Sequence, residues 1–244
     1  MSHRFNFFMG AFANILWTVS QLITVNYLFT KIPSFQGWSL ADLILLLSFG
    51  QVYVYVSAMI FDLNLNKLPD KIISGAFDRM LTKPINILFL SSFEQLSIAT
   101  LIPMITTVTP LMLYGMINRS SFQLLDLFFA TITLILGIIT LYFLSLAISG
   151  LTFFFEDIQS IKEYVVMRTI DLARIPLSIF PQLIQSVLTF VIPIAFIAYY
   201  PAQIIRHQTD LFFIFFIQAF LLVIFYLTAQ IIWKAGLKKY SGIG

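Results

Sequence analysis

The side chains able to do acid–base, metal or nucleophilic chemistry are few in this sequence and stand apart. Its two histidines, His3 and His207, lie near opposite ends of 244 residues, and there is no cysteine. That removes a thiolate site, a cysteine nucleophile and a disulfide frame, and it disfavours a His-pair metal site or a Ser/His relay. What remains is a set of polar groups embedded in long apolar runs: Glu94 and Gln95, with Ser91 and Ser92 beside them, and Asn14, Gln21, Asn26 and Gln51. Groups of this kind pair, hydrogen-bond across helices or line a polar path. Glu94 is expected to pair with Arg168 or Arg174, or to line an inward cavity. The four amides are read as glue between helices, with contact to a substrate as the other reading. Asp42 and Asp126 are expected to act as interfacial caps.

The elements that position these groups follow from composition. The chain is 59% hydrophobic and only 10% charged, with a mean hydropathy of +0.94. Soluble domains run near 45–50% apolar and about 25% charged, so this chain lacks the polar surface a water-soluble fold needs. It reads as an all-α polytopic membrane protein of one domain, residues 1–244. A span needs about 20 apolar residues, and that ruler gives six transmembrane helices: 9–30, 40–61, 88–116, 124–150, 177–198 and 211–233. The third contains Pro103 and Pro110 and is expected to kink; the fifth contains Pro181 and Pro193. With both termini cytoplasmic, eleven of the fourteen basic residues fall inside, and only Lys31, Arg119 and Arg206 outside, the bias the positive-inside rule demands. Trp38, Tyr199, Tyr200 and Trp233 are expected to anchor the interfaces. Ala11-Phe12-Ala13 precedes the first apolar run, so no cleavable signal peptide is expected.

Two segments between spans carry more pattern than a loop. In residues 62–86, Leu68, Ile72, Ile73, Ala76, Phe77, Met80 and Leu81 recur at helical spacing, predicting one amphipathic helix over 67–84. Pro69 suits its first turn, Asp70 the positive end of its dipole, Lys83 the negative end, and Pro84 stops it. Gly75 in its middle is expected to permit a close approach, at a cost of about 1 kcal/mol relative to alanine. Such a helix either lies on the inner leaflet or docks a soluble partner. The second segment, an extension over 156–176, holds seven charges between Glu156 and Arg174 and reads equally as a partner contact or a hinge.

The run from Pro69 to Asn86, PDKIISGAFDRMLTKPIN, resembles the hallmark between the second and third helices of ABC-2 family permeases, nearest the small six-helix permeases of bacterial drug and antibiotic-peptide exporters. The stretch from Ala173 to Gln203, with its proline-rich entry, Ile192-Pro193 and the Tyr-x-Pro-Ala element Tyr199-Tyr200-Pro201-Ala202, is similar to that branch's fifth helix. The resemblance implies an ABC-2 (type V exporter-like) permease fold. It further implies a non-catalytic subunit in the bacterial inner membrane that exports an amphipathic drug, peptide or lipid-like molecule. The 67–84 helix would be the coupling helix seated on a cytoplasmic ATP-binding cassette ATPase, with Pro69, Asp70, Gly75, Phe77, Asp78, Leu81, Lys83 and Pro84 as the coupling residues and Phe77 as an apolar knob. An interfacial lead-in over about Ser2 to Ala13 is also implied. The chain has no GxxxxGK[ST] phosphate loop, so ATP and Mg belong to the partner ATPase and no cofactor is expected here. A second permease, identical or homologous, would complete a dimer; nucleic acid is not an expected partner. The rival readings are an ATP-independent secondary transporter and a membrane scaffold.

Overall fold

A computed structural model describes residues 2–31, 36–118, 123–155, 158, 165 and 169–240. Among them the secondary structure is helical, with no strand. The longer elements are α1 (Ser2–Lys31), α2 (Leu40–Ile60), α7 (Leu101–Ile117, led in by a 3-10 turn at Ile98–Thr100), α8 (Leu124–Gly150) and, last in the chain, α11 (Leu211–Lys239). Between α2 and α7 lie four short helices, α3 (Asp62–Asn66), α4 (Leu68–Ile73), α5 (Ala76–Leu81) and α6 (Ile87–Phe93). Before α11 come α9 (Gln182–Ser186) and α10 (Tyr199–Ile205).

Among the described residues, four helical stretches are long and apolar enough to cross a membrane: Leu40–Ile60, Ile98–Ile117, Leu124–Phe153 and Leu211–Lys239. The first is 61% buried along its apolar window, against 22% for the second and fourth. α2 is therefore the central post of the bundle, and the others turn apolar faces outward, as lipid-facing helices do. α8 packs most extensively on α11 and α7 on α2. A capping box starts α2: the Asp42 amide donates to Ser39 Oγ at 3.2 Å and the Ser39 amide to Asp42 Oδ2 at 3.1 Å. Asp210 caps α11 by accepting from the Phe212 amide at 2.8 Å.

Several expectations are corrected. The third span is not one helix from 88 to 116. It breaks after Phe93, and the apolar crossing begins at Ile98. Pro103 falls in the first turn of α7, where its missing N–H costs nothing. The fifth, 177–198, is a chain of short pieces: 3-10 turns at Leu177–Ile179 and Ile194–Ile197, α9, and a π turn at Val187–Val191. The residues before its prolines explain this. Ile175, Phe180 and Ile192 have ψ of 134°, 152° and 86°, because a following proline ring excludes the helical region. The lead-in over Ser2 to Ala13 is continuous with α1 and not a separate interfacial helix. Trp38 and Trp233 are not interfacial anchors; each is only 1% exposed and sits in the core.

Candidate functional site

The segment from 62 to 96 joins the central helix α2 to the start of the next crossing. It folds as four short helices, and the break between α4 and α5 falls at Gly75, which takes φ +69°, in the left-handed region that favours glycine. A Cβ at Gly75 would meet no atom nearer than 3.8 Å. Backbone conformation therefore calls for glycine there, not the close approach expected, and the continuous helix over 67–84 is corrected to two. Pro69 lies buried in the first turn of α4, with exposed Asp70 after it. α5 ends at Leu81, ahead of exposed Pro84.

The turn at Gly75 sends Phe77 inward. Its ring is fully buried, 5.4 Å from Phe153 and 5.2 Å from Tyr240, edge-on to the latter. Phe153 in turn meets Trp233 at 5.5 Å, and Trp233 Nε1 donates to the Leu146 carbonyl at 2.7 Å. Leu68, Met80 and Leu90 complete this cluster. Phe77, expected as a knob offered to a partner, is instead the pin that fixes α5 to the ends of α8 and α11. The apolar side chains left outside are Ile73, 71% exposed, and Leu81, 44% exposed, with exposed Asp70 and Ser74 nearby. Asp78 is half-buried beside Tyr240. Burial, reinforced by the Asp78 carboxylate, raises the Tyr240 phenol above its ordinary value.

A charged layer lies over the pin. Lys71 Nζ donates to Glu94 Oε2 at 2.6 Å, and Lys83 Nζ stands 3.6 Å from Oε1. The hydrogen bond from Lys71, helped by both positive charges, holds Glu94 below the ordinary carboxylate value against the opposing effect of desolvation. The expected pairing with Arg174 is thus corrected. Arg174 bonds Asp171 at 3.3 Å and lies 5.7 Å from the Trp17 ring. Arg168 and most of the 156–168 stretch lie outside the described residues.

The same joint holds Asn64, 1% exposed, which the sequence reading did not single out. Its amide donates to the carbonyls of Ser92 at 3.0 Å and Gln95 at 2.7 Å, and its Oδ1 accepts from the Gln95 amide at 3.0 Å. Asn64 therefore supplies the partners that the broken helix at 94–97 gives up. The available signal was a polar residue between Leu63 and Leu65. Lys67 Nζ adds a bond to Gln95 Oε1 at 3.3 Å. Phe153 and Tyr240 also went unread, since nothing local marks their convergence on Phe77. Of the intramembrane amides, Gln51 donates to Gln21 Oε1 at 3.4 Å, bridging α2 and α1. Asn26 bonds the Leu22 carbonyl of its own helix at 2.9 Å, and the Asn14 side chain lies outside the described residues.

Beside the joint, a cavity of about 390 Å³ opens between the end of α2 and the 170–174 turn. Val54, Ala58, Leu63 and Ile170 give it apolar walls, while Asp62 and Arg174 stand at its polar side. Among the described residues no group of three or more His, Asp or Glu could hold a metal ion.

A model of the family described as ABC-2 family transporter protein matches residues 15–244. No curated protein and no solved structure matches the chain.

Proposed function

The chain belongs to the ABC-2 family of transporter proteins, a family of membrane permeases that work with an ABC ATPase, and from that premise we propose that it is the permease subunit of an exporter. A separate ATPase docks on the exposed side of residues 67–84 and supplies ATP and Mg, so this chain is non-catalytic. The observation that carries the reading is the two-sided construction of that segment. Ile73, Leu81, Asp70 and Ser74 face outward, while Phe77 is locked inward onto α8 and α11. A push on the outer side cannot be absorbed within α5, because its pin is close-packed against two other aromatic rings, Phe153 and Tyr240. It passes to α8 and α11 through Phe77, and to α6 and α7 through Asn64. Pro69, Gly75 and Pro84 give the lever its ends and its elbow; Lys83 ties it to Glu94, and Asp78 lies beside Tyr240.

Six crossings in the bacterial inner membrane, with both termini cytoplasmic, complete the proposal: α1 and the broken 177–198 segment join the four apolar stretches. The cargo is amphipathic, which the cavity near Asp62 supports by setting charge against apolar walls. A second permease, identical or homologous, supplies the other half of the path.

The test is gentle detergent extraction followed by mass spectrometry of what co-purifies, repeated with Ile73→Glu and Leu81→Glu. A stoichiometric ATPase that the two substitutions strip off, with the permease still inserted, is the expected result. Recovery of the chain alone, with transport following a proton gradient and indifferent to nucleotide, overturns it in favour of a secondary transporter. Recovery alone with no transport favours a scaffold.

A further inference from the structure

A second, smaller cavity of about 240 Å³ lies on the far flank of the same joint, lined by Lys71, Ala76, Arg79, Met80, Lys83 and Glu94. Ala76, Arg79, Met80 and Lys83 recur at i, i+3, i+4 and i+7, so one face of α5 and its continuation builds most of the wall. Three cations meet one carboxylate there. Glu94 is satisfied by Lys71, and more weakly by Lys83 at 3.6 Å, whose side chain stays 47% exposed. Arg79 has no carboxylate partner among the described residues. Among the described residues the cavity therefore holds surplus positive charge, with a guanidinium placed to bind an anion bidentately.

The surroundings say where that anion comes from. Glu94 stands just before the crossing that begins at Ile98. Phe89, Leu96 and Ile98, on either side of it, are 58%, 59% and 69% exposed. Apolar side chains this open, at the end of a membrane-crossing helix, are solvated by acyl chains. A basic pocket bordered by them matches the footprint of an anionic lipid, headgroup inward and tails along Leu96 and Ile98. We propose that this pocket binds the phosphate of an anionic phospholipid through Arg79 and Lys83. The inference rests on the pocket and its apolar border, and stands whether or not an ATPase docks on the outer side of α5.

The probe is phosphatidylglycerol. The full-length protein, stripped of native lipid, is reconstituted into phosphatidylcholine nanodiscs with rising phosphatidylglycerol, and retained lipid is counted by native mass spectrometry. Arg79→Gln should weaken retention roughly fivefold, as removal of one cation beside a membrane does, and Arg79→Lys should restore most of it. Glu94→Gln should strengthen retention, an opposite sign that general loosening of the joint does not produce. Lys234→Gln, on exposed α11 surface outside the pocket, should change nothing. Equal retention in wild type and Arg79→Gln overturns the proposal. So does displacement of the lipid by millimolar inorganic phosphate at constant ionic strength, which would assign the pocket to a soluble anion. Unchanged retention together with loss of a co-purifying ATPase would make the pocket a protein contact and overturn it too.

Discussion

α2 runs between two joints built on different physics. At its start, Arg206 is 11% exposed in its side chain and Asp42 7%, with Nε 3.3 Å from the carboxylate. The same guanidinium donates to the Gly37 carbonyl at 2.6 Å and to Gln203 Oε1 at 2.9 Å, and lies 4.0 Å from the Trp38 ring. Trp38 Nε1 donates in turn to Ser178 Oγ at 3.3 Å. At the other end, the ions around Glu94 are 18% to 47% exposed, and the dry part of the joint is aromatic. A buried, fully coordinated charge is costly to separate, whereas a half-exposed ion pair exchanges readily with water. The Arg206 joint is thus made to hold and the 62–96 joint to shift its charges around a fixed apolar pin. That is what a lever needs: a pivot at one end and a sliding contact at the end where force enters.

The largest expected effect tests the pin. Phe77→Ala opens a cavity among Phe153, Trp233 and Tyr240, and removing a buried phenylalanine costs roughly 3–5 kcal/mol. The midpoint of thermal unfolding in detergent should fall more than for any other substitution discussed. A drop no larger than that of Leu81→Ala would mean that Phe77 is not anchored in the membrane domain. Next comes the pivot. Arg206→Leu leaves Asp42 buried without its cation, at about 3 kcal/mol, the low end of that range because Asp42 keeps its bond from the Ser39 amide. Raised salt should not rescue it, as screening barely reaches a buried pair. Salt dependence equal to that of the Glu94 pair would erase the contrast between the two ends.

Asn64→Ala ranks third, at about 2 kcal/mol, because it leaves the buried Ser92 carbonyl and the part-buried backbone groups of Gln95 without this partner. Amide hydrogen exchange should quicken at 94–97 and stay unchanged around Arg206. Quickening across the whole bundle would show that the break is not a local hinge.

Much of this architecture was legible. α2 begins where Ser39 and Asp42 make a box, and α8 spans 124–150 as its apolar run dictates, because long apolar runs and caps are local properties. The breaks were not, though their prolines were in view. Counting apolar residues cannot tell a helix interrupted by Pro181 and Pro193 from one merely kinked. The interruption at 94–97 depends on Asn64, about thirty residues away. The amphipathic stripe over 68–81 was read correctly as apolar, but periodicity cannot say which members meet the chain's own core. Leu68, Phe77 and Met80 do, and Ile73 and Leu81 do not. The two buried tryptophans mislead for the same reason, since Trp38 and Trp233 find their polar partners inside, on Ser178 and Leu146.

The smallest effect is the most diagnostic of a sliding contact. Glu94 has its carboxyl lowered chiefly by the Lys71 hydrogen bond, so the clamp it makes is fully present above the ordinary carboxylate range. It is lost as pH falls through the lowered native value. Because the group is partly exposed, the clamp contributes under about 1 kcal/mol, and Glu94→Gln should shift unfolding only slightly at neutral pH. The variant should differ from wild type at pH 7 and converge with it in acid, where the native carboxyl is itself protonated. At the Arg206 end, Asp42→Asn measured at pH 7 should give a larger gap, because that pair is buried. If Glu94→Gln showed the larger gap, the firm joint would lie at the 62–96 end and the assignment of pivot and sliding contact would have to be reversed.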